Sequence, residues 1–441
     1  MIMAPGMALT AAAREMSAAC RDGDAALAQL PPKPARSPTE AWAAAAAQAA
    51  ARAARARFLR AHVDDVYRAL TRDLAEPLRA EDLVYAAAER FPGLVPTREV
   101  VERERQLPQR DKDGVEIDQG RFFCHVLSSR TAGLHLVHTM LRPTREAERL
   151  LARFQADGVA DLGPVRVERI GAAGHVTLTN PAFLNAEDDS TILPLETAID
   201  LVLLDPAIEI GVLRGGVVSH PKYAGRRVFN AGINLTHLYH GKISFVGFFL
   251  VRDLGLVNKL YRGVTGELFA PDEPEQTLEK PWIAAVEAFA IGGGCQILLT
   301  MDHVLAEQDA YFNLPARKEG IIPGAANLRL PRFVGDRVAR QAILYERGFP
   351  AASPQGALLC DEVVPRDGMD AAIDRVVARL TNAGSVSASA NRKALRVGEE
   401  PLDVFRQYMA LYAREQAECH FSPALIRNLE QNWDARRRSP G

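Results

Sequence analysis

The sequence predicts an α/β protein, with a helical region before the sheet core and further helices after it. From Val165 onward, short apolar runs alternate with helix-like stretches, which favours a parallel sheet covered by helices. Before that point, residues of high helix propensity dominate, alanine above all. The last part of the chain again has helical patterns. These observations divide the chain into residues 1–164, 165–370 and 371–441.

Composition and charge are typical of an ordinary soluble globular protein. Hydrophobic residues make up 48% of the chain and charged residues 24%. The 53 Lys and Arg nearly balance the 55 Asp and Glu, so no general attraction to nucleic acid or anionic membrane is expected. The N-terminus lacks the features of a signal peptide, and no stretch reaches the ~20 apolar residues of a membrane span. We therefore expect a cytoplasmic protein that binds neither nucleic acid nor membrane.

The cysteines and histidines do not predict a metal site. The five cysteines are far apart, odd in number and outside any CxxC pattern, which fits a reducing compartment. His135 and His138 lie three residues apart and could share one helix face as metal ligands. No acidic or cysteine partner stands at ligand spacing, so a structural role is favoured.

Residues 1–164 are predicted to form a helical accessory domain. A proline-rich linker, Gln29–Pro38, precedes an alanine-rich helix expected at 40–74. The basic half of that helix could contact a membrane or nucleic acid, but a solvated helix face is the simpler interpretation. Its four arginines are Arg52, Arg55, Arg57 and Arg60. Further helices are predicted at 78–90, 97–107 and 144–155.

The second region predicts strands and helices in alternation. A hairpin is expected around GAAG, which is no dinucleotide fingerprint because it lacks the third glycine. The predicted strands are 165–170, 175–179, 208–213 and 227–229, and the predicted helices are 191–204 and 235–262.

The central stretch of this region is Glu279–Gln296. The apolar run 282–290 predicts a buried strand, three glycines follow it, and the run 295–309 predicts a helix directly after them. Glycine lets the backbone approach a ligand, and a helix N-terminus offers free N–H groups to an anion. Such a turn could stabilise an oxyanion, although a tight turn without function has the same pattern.

Four motifs then coincide in order and spacing over roughly residues 165 to 370. They are NPAFLNA (180–186), FNAGINL (229–235), KPWIAAVEAFAIGGGCQ (280–296) and IIPGAANLRLPRFVG (321–335), the last followed by DEVVP (361–365). Together they resemble the crotonase, or enoyl-CoA hydratase/isomerase, superfamily.

This resemblance implies a fold and a chemistry. The fold is a spiral of ββα units that assembles as trimers or pairs of trimers. Members bind acyl-CoA thioesters and stabilise a thioester enolate with two backbone N–H groups. By position, those donors are Ile233, after the glycine of AGIN, and Gly293, the middle glycine of the triplet.

The chain departs from the family at both hydratase glutamates. The resemblance places one at Gln296 and the other at Ala316. An amide cannot cycle a proton at neutral pH, and a methyl group cannot at all. The sequence therefore keeps the enolate-stabilising hole and lacks the groups for adding water.

A narrower resemblance links these departures to the family's cofactor-independent dioxygenases of (3,5-dihydroxyphenyl)acetyl-CoA, from glycopeptide-antibiotic precursor synthesis. It implies that O₂ and the arylacetyl-CoA give the arylglyoxylate and CoA without metal, flavin or haem. The enolate of an arylacetyl thioester is electron-rich enough to reduce O₂, and the resulting peroxide can attack the thioester. The sequence does not indicate which group removes the α-proton.

Three polar residues beside the motifs are candidates for recognising the ring hydroxyls. Glu187 could also be a first-turn carboxylate favoured by the helix dipole, and Arg252 could instead pair with an acid such as Glu187. Gln296 stands at the family's acid position and could donate and accept. Asn230 and Asn234 are expected to cap the local backbone.

The remaining expected contacts surround these groups. A loop with several cations stands where the family places the CoA entrance; its cations would suit the CoA phosphates, or the loop is simply solvated. Small apolar residues would suit an O₂ pocket or an ordinary core. The hole is flanked by Ala231, Gly232, Asn234, Leu235, Ile291 and Gly292; the loop has His220, Pro221, Lys222 and Tyr223 with Arg226 and Arg227 behind; the wall has Ala316, Ile321 and Ile322.

The C-terminal helices, expected at 367–382, 401–419 and 423–436, would cover the site, as they do in the family across a subunit interface. Two other functions stay open. A thioesterase or isomerase acting on an arylacyl-CoA would use the same hole without O₂. A non-catalytic acyl-CoA- or RNA-binding scaffold would also lack the glutamates, although it would have no need of an oxyanion hole.

Overall fold

The computed structural model describes residues 5–266, 276–381 and 385–438. Its α-helices are α1 (Pro5–Ala28), α2 (Pro38–Leu70), α3 (Ala80–Arg90), α4 (Arg98–Arg105), α5 (Glu116–Ser128), α6 (Arg130–Met140), α7 (Arg145–Asp157), α8 (Asp189–Leu204), α9 (Leu235–Tyr239), α10 (Val257–Arg262), α11 (Gly293–Leu298), α12 (Ala316–Glu319), α13 (Ala326–Tyr345), α14 (Met369–Thr381), α15 (Ser385–Glu399), α16 (Leu402–His420) and α17 (Pro423–Trp433). Its strands are β1 (Val159–Asp161), β2 (Val165–Ile170), β3 (Ala173–Leu178), β4 (Ile210–Gly215), β5 (Trp282–Val286), β6 (Phe289–Ile291), β7 (His303–Glu307), β8 (Tyr311–Asn313), β9 (Phe349–Pro350) and β10 (Glu362–Val364).

The N-terminal part is helical, as predicted. Helix α2 starts at a capping box formed by Ser37 and Glu40. It ends at Leu70, earlier than expected, because residues 72–74 all take left-handed backbone angles. No helix in the described ranges is both long and apolar enough to cross a bilayer.

The basic half of α2 faces another helix rather than only solvent. Arg52 and Arg55 both bind the carboxylate of Asp118 on α5, at 3.3 and 2.7 Å.

His135 is hydrogen-bonded within the helical part. Its Nδ1 lies 2.8 Å from the Tyr67 hydroxyl, and its Nε2 lies 3.0 Å from a backbone carbonyl.

The core sheet has the order β1-β2-β3-β4-β5-β7-β10. The pairs from β3 to β10 are parallel, and the predicted hairpin β2–β3 is antiparallel, with Val165 opposite Leu178. A second, three-stranded sheet has the order β6-β8-β9. Because β6 directly follows β5, the chain passes from one sheet to the other just before the three glycines.

The prediction of a long helix after the glycines is wrong. Helix α11 ends at Leu298, and residues 303–307 form β7 between β5 and β10. Leu305 and Ala306 are fully buried on opposite faces of the sheet. A strand buried on both faces has a continuous apolar run, which cannot be told from a buried helix by periodicity alone.

Two other predicted elements are divided. The strand expected at 282–290 is interrupted at Glu287 and Ala288, where the φ of Ala288 is 61°. The helix expected at 235–262 consists of α9, two π-helical segments (Phe245–Leu250 and Arg252–Leu256) and α10. π-Helical turns inside helices frequently occur at functional sites.

The C-terminal helices lie close to their predicted positions, and α15 is an additional one. Glu400, between α15 and α16, attaches this part to the core. Its buried carboxylate accepts from Arg329 at 2.8 and 2.9 Å and lies 3.3 Å from Arg262 and 3.1 Å from Arg332. Burial would raise the pKa of Glu400, but the three guanidinium groups lower it to about 2.

We expect Glu400→Gln to lower the free energy of unfolding by about 3–5 kcal/mol, because buried guanidinium groups lose their counter-charge. Urea unfolding at pH 7 measures it, with Glu415→Gln, whose partner is the exposed Arg414, as the control. The folded pKa of Glu400 lies below its unfolded value, so its contribution is present above about pH 4.5 and disappears as the pH falls towards 2. A pH-independent difference between the wild type and Glu400→Gln would contradict this account.

Candidate active site

The turn between β6 and α11 brings backbone from several segments into close contact. Gly292 has a φ of 52°, which favours glycine. A Cβ on Gly293 would lie 2.9 Å from a guanidinium nitrogen of Arg252, and one on Gly294 would lie 2.6 Å from the carbonyl of Asn230. The glycines are therefore required by the close approach of neighbouring segments.

The AGIN segment lies against this turn. Gly232 has a φ of 78°, and a Cβ there would lie 2.9 Å from the Gly293 nitrogen. Glu187 N–H donates to the Gly232 carbonyl and Asn234 N–H donates to the Glu187 carbonyl, both at 2.7 Å. In this parallel bridge the N–H of Ile233 points away from Glu187.

Two backbone donors therefore remain for a ligand. The N–H of Gly293 is in the first turn of α11, where it lacks a partner within the helix. Within residues 5–266, 276–381 and 385–438, neither this N–H nor that of Ile233 has an acceptor. The residue pair expected from the sequence thus offers two free donors on adjoining segments.

The three candidate polar residues meet directly behind the glycine turn. Both oxygens of Glu187 accept from Arg252, one of them at 3.1 Å. The same guanidinium donates to Gln296 Oε1 at 2.8 Å and to the Gly293 carbonyl at 2.9 Å. Burial by itself would lower the pKa of Arg252, but the adjacent charge of Glu187 raises it by more. The pKa therefore lies above its ordinary value, and the group stays cationic.

Asn230 connects this cluster to the AGIN segment. Its Nδ2 donates to Glu187 at 2.7 Å, and its Oδ1 accepts from the Gly232 N–H at 2.6 Å. It is therefore both a local cap, as expected, and a partner of the charged cluster. Asn234 caps α9 by accepting from the His237 N–H at 3.1 Å.

Asp253 and Tyr412 are additional polar groups at the site. Asp253 is buried, and its Oδ1 lies 3.7 Å from Arg252. A Cβ on Gly324 would lie 2.4 Å from that oxygen and 2.5 Å from Gln296 Oε1. Burial raises the pKa of the Asp253 carboxyl, and the charge of Arg252 and the hydroxyl of Tyr412 on α16 oppose this shift only in part. The sequence could have indicated Asp253, because it is a second charged residue beside Arg252 at the end of an apolar run. No sequence pattern indicated Tyr412.

The expected CoA-entrance loop is a short 3₁₀ turn at Pro221–Tyr223. His220, Pro221 and Lys222 are exposed, and the Lys222 ammonium lies 5.2 Å from the centre of the Tyr223 ring. Tyr223 packs in one cluster with Ala231 and Ile291, which flank the hole.

Arg226 and Arg227 have partners inside the protein. Arg226 binds Glu307 at 2.6 Å, and Arg227 donates to the Gly215 carbonyl at 3.1 Å. Of the basic groups expected at the entrance, Lys222 and His220 are exposed, whereas the two arginines are half-buried.

The expected apolar wall joins the C-terminal helices to the site. Ala316 is buried at the start of α12, and Leu235, Ile321 and Ile322 are half-buried against the main core. The N–H of Ile322 donates to Gln416 of α16 at 2.7 Å. In the described part of the chain, no three His, Cys, Asp or Glu side chains are grouped as metal ligands.

The family model described as Enoyl-CoA hydratase/isomerase matches residues 169–416. The chain is 47% identical to the (3,5-dihydroxyphenyl)acetyl-CoA 1,2-dioxygenase of Amycolatopsis orientalis, over 92% of each chain. It is 26% identical to the crotonyl-CoA hydratase of Syntrophomonas wolfei, over 50% of this chain and 76% of that protein.

Two solved structures share the fold. An enoyl-CoA hydratase from Mycobacterium avium subsp. paratuberculosis K-10 is 24% identical, covers 61% of this chain and 98% of its own, and has a TM-score of 0.50. The enoyl-CoA hydratase from Bacillus halodurans is 19% identical, with coverages of 61% and 99% and a TM-score of 0.51. They confirm the expected fold class for the sheet-containing part.

We expect Glu187→Met and Arg252→Met each to lower the free energy of unfolding by about 3–5 kcal/mol, because each leaves one buried charge unpaired. The double variant should lose clearly less than the sum of the two. Urea unfolding of all four proteins measures this coupling. Removal of the exposed pair Arg166–Glu168, 2.7 Å apart, is the control and should change stability little, because water screens it. Additive losses would mean that the two charges are not coupled.

Proposed function

The chain belongs to the enoyl-CoA hydratase/isomerase family, and we propose that it is a cofactor-independent dioxygenase. It converts (3,5-dihydroxyphenyl)acetyl-CoA and O₂ to (3,5-dihydroxyphenyl)glyoxylate and CoA. The observation that carries this proposal is the buried cluster of Arg252, Glu187 and Gln296 directly behind two free backbone donors. The 47% identity to a dioxygenase of this substrate supports it.

The first task of the site is to stabilise the enolate of the thioester. Loss of an α-proton places negative charge on the thioester oxygen, which the N–H groups of Ile233 and Gly293 would hold. One such donor contributes on the order of 10²–10³ to the rate in other enzymes. Because both donors are backbone groups, their position depends on the packing of Gly232 against the glycine turn.

The charged cluster would recognise the dihydroxyphenyl ring. A phenol hydroxyl needs a partner when it is buried, and Glu187, Gln296 and Arg252 supply acceptors and donors in a site that is almost closed to water. Asp253 adds a carboxylate oxygen, Oδ1, without a hydrogen-bond partner among the described residues. An unhydroxylated ring would offer no partner to this oxygen, which costs affinity.

The same residues disfavour the hydration of an enoyl-CoA. Gln296 cannot exchange a proton at neutral pH, and its Oε1 is already bound to Arg252. Ala316 is buried and has no proton to give. The site can therefore form an enolate but lacks these two groups for adding water to a double bond.

The enolate itself would reduce O₂, so the protein need not supply a redox group. A peroxide formed at the α-carbon attacks the thioester carbonyl and expels CoA as the thiolate. The O–O bond then breaks as the remaining α-hydrogen leaves as a proton, so one oxygen atom of O₂ becomes the keto oxygen and the other enters the carboxylate. Ala316, Ile321 and Ile322 would form the apolar wall against which O₂ binds. The exposed Lys222 and His220 would contact the CoA phosphates.

Three further features belong to this proposal. Residues 1–164 and 371–441 would be helical parts attached to a catalytic core at 165–370. The enzyme would assemble as a trimer or a pair of trimers, and exposed apolar side chains on α13, such as Tyr345 and Leu344, would suit such contacts. A reducing compartment would suit the five free cysteines.

Oxygen consumption on adding (3,5-dihydroxyphenyl)acetyl-CoA to chelator-treated protein tests the function. We expect one O₂ consumed and one CoA released per substrate. CoA release without O₂ uptake would indicate a thioesterase that uses the same hole. RNA retention that weakens with salt, in place of either signal, would indicate a binding scaffold.

We expect Gly232→Ala to lower the rate of O₂ uptake by about 100-fold or more, because the new Cβ would displace the Gly293 donor. Gly225→Ala is the matched control. Both glycines have a φ of 78°, but Gly225 has open space around its Cβ position. Equal losses in the two variants would show that backbone strain alone is responsible.

A further inference from the structure

A third acidic residue lies beside the oxyanion hole. Glu319 ends the short helix α12 and is 3% exposed. A Cβ on Gly292 would lie 3.4 Å from its Oε1 and 3.6 Å from its Oε2. Both carboxylate oxygens are therefore directed at the glycine that precedes the donor Gly293.

Glu319 lies beside a different glycine from the charged cluster. The Cβ direction of Gly292 points to Glu319, whereas that of Gly293 points to Arg252 and Glu187. The two acidic groups thus have different neighbours on the same turn. The ring-recognition cluster lies beside Gly293. Glu319, beside Gly292, is available to the part of a substrate that lies at the hole.

The Glu319 carboxylate has no hydrogen-bond donor and no ion-pair partner among the described residues. Arg252, across the turn, is already bound to Glu187. Burial without a counter-charge raises the pKa of Glu319 to about 7. The other charged groups of α12, α13 and α17 are paired with other residues or exposed. Arg317 and Lys318 bind Glu346, Arg329 and Arg332 bind Glu400, Glu430 binds Arg436, and Asp336, Arg337, Arg340 and Arg427 are exposed.

We propose that Glu319 is the base that removes the α-proton of the arylacetyl thioester. The inference rests on the proposed function and assigns the step for which the sequence indicated no residue. The Cα–H bond breaks, the proton moves to a Glu319 oxygen, and the electron pair forms the enolate. The new negative charge lies on the thioester oxygen, held by the N–H groups of Ile233 and Gly293.

The surroundings of Glu319 suit a base. A carboxylate that is desolvated and unpaired takes a proton more readily than one in water. A base whose protonation midpoint lies near the working pH is also the most effective. The family's second glutamate position, Ala316, lies one turn earlier on the same short helix, so the acid would have moved by three residues along the chain.

Exchange of the α-hydrogens tests this assignment without O₂. Under anaerobic conditions in D₂O, the wild type should incorporate deuterium at the α-carbon of (3,5-dihydroxyphenyl)acetyl-CoA, measured by mass spectrometry. We expect Glu319→Gln to slow this exchange by about 100-fold or more. Glu319→Asp, which keeps a carboxylate, should exchange faster than Glu319→Gln.

The pH profile separates a base from a structural carboxyl. The wild-type exchange rate should rise with pH and level off above about pH 7, as Glu319 ionises. Glu319→Gln should lack this rise. The exposed Glu148→Gln should behave as the wild type. Binding of the α,α-difluoro analogue, which has no α-hydrogen, should be unchanged in Glu319→Gln.

Two results would overturn the assignment. One is hydrogen exchange by Glu319→Gln at more than a tenth of the wild-type rate. The other is a fall in exchange that is fully explained by weaker binding of the difluoro analogue. These results leave the proposed function intact as long as the wild type consumes O₂. Absence of both exchange and O₂ uptake in the wild type would overturn the proposed function itself.

Discussion

The buried ion pair between Arg252 and Glu187 is the interaction on which the site depends. A charge closed off from water must be paired, and each partner here comes from a different segment of the chain. The same guanidinium also holds Gln296 and the Gly293 carbonyl. One side chain thus fixes the start of α8, the π-helical segment and the glycine turn relative to one another. Any displacement of these segments would leave a charge or a carbonyl unsatisfied.

The helical parts at both ends of the chain support this arrangement. Glu116 of α5 accepts the N–H of Phe245, the first residue of the π-helical segment before Arg252, at 2.7 Å. From the other end, the Tyr408 hydroxyl donates to the Gly324 carbonyl, beside Asp253. The π-helical segments therefore lie between N-terminal and C-terminal helices. This packing explains why a site formed by the sheet core is almost closed to water.

The glycine turn brings two backbone donors and two acidic side chains close together, each with different neighbours. The donors Ile233 and Gly293 lie on adjoining backbone segments, and side chains approach the turn at the positions where Gly292 and Gly293 have no Cβ. The Glu187 carboxylate is paired with Arg252, whereas the unpaired Glu319 has a pKa raised by burial. The different surroundings of the two acids, rather than their residue type, would distinguish the roles proposed for them.

The sequence by itself determined the fold class, the hairpin and the glycine turn, and it named Glu187, Arg252 and Gln296 as candidates, because these depend on local patterns and motif spacing. It did not determine that residues 303–307 form a strand, since a strand buried on both faces looks like a buried helix. Nor could it show Tyr412 or Glu319 at the site. Their positions follow from how distant helices pack, and a pKa raised by burial exists only once the surrounding chain has excluded water.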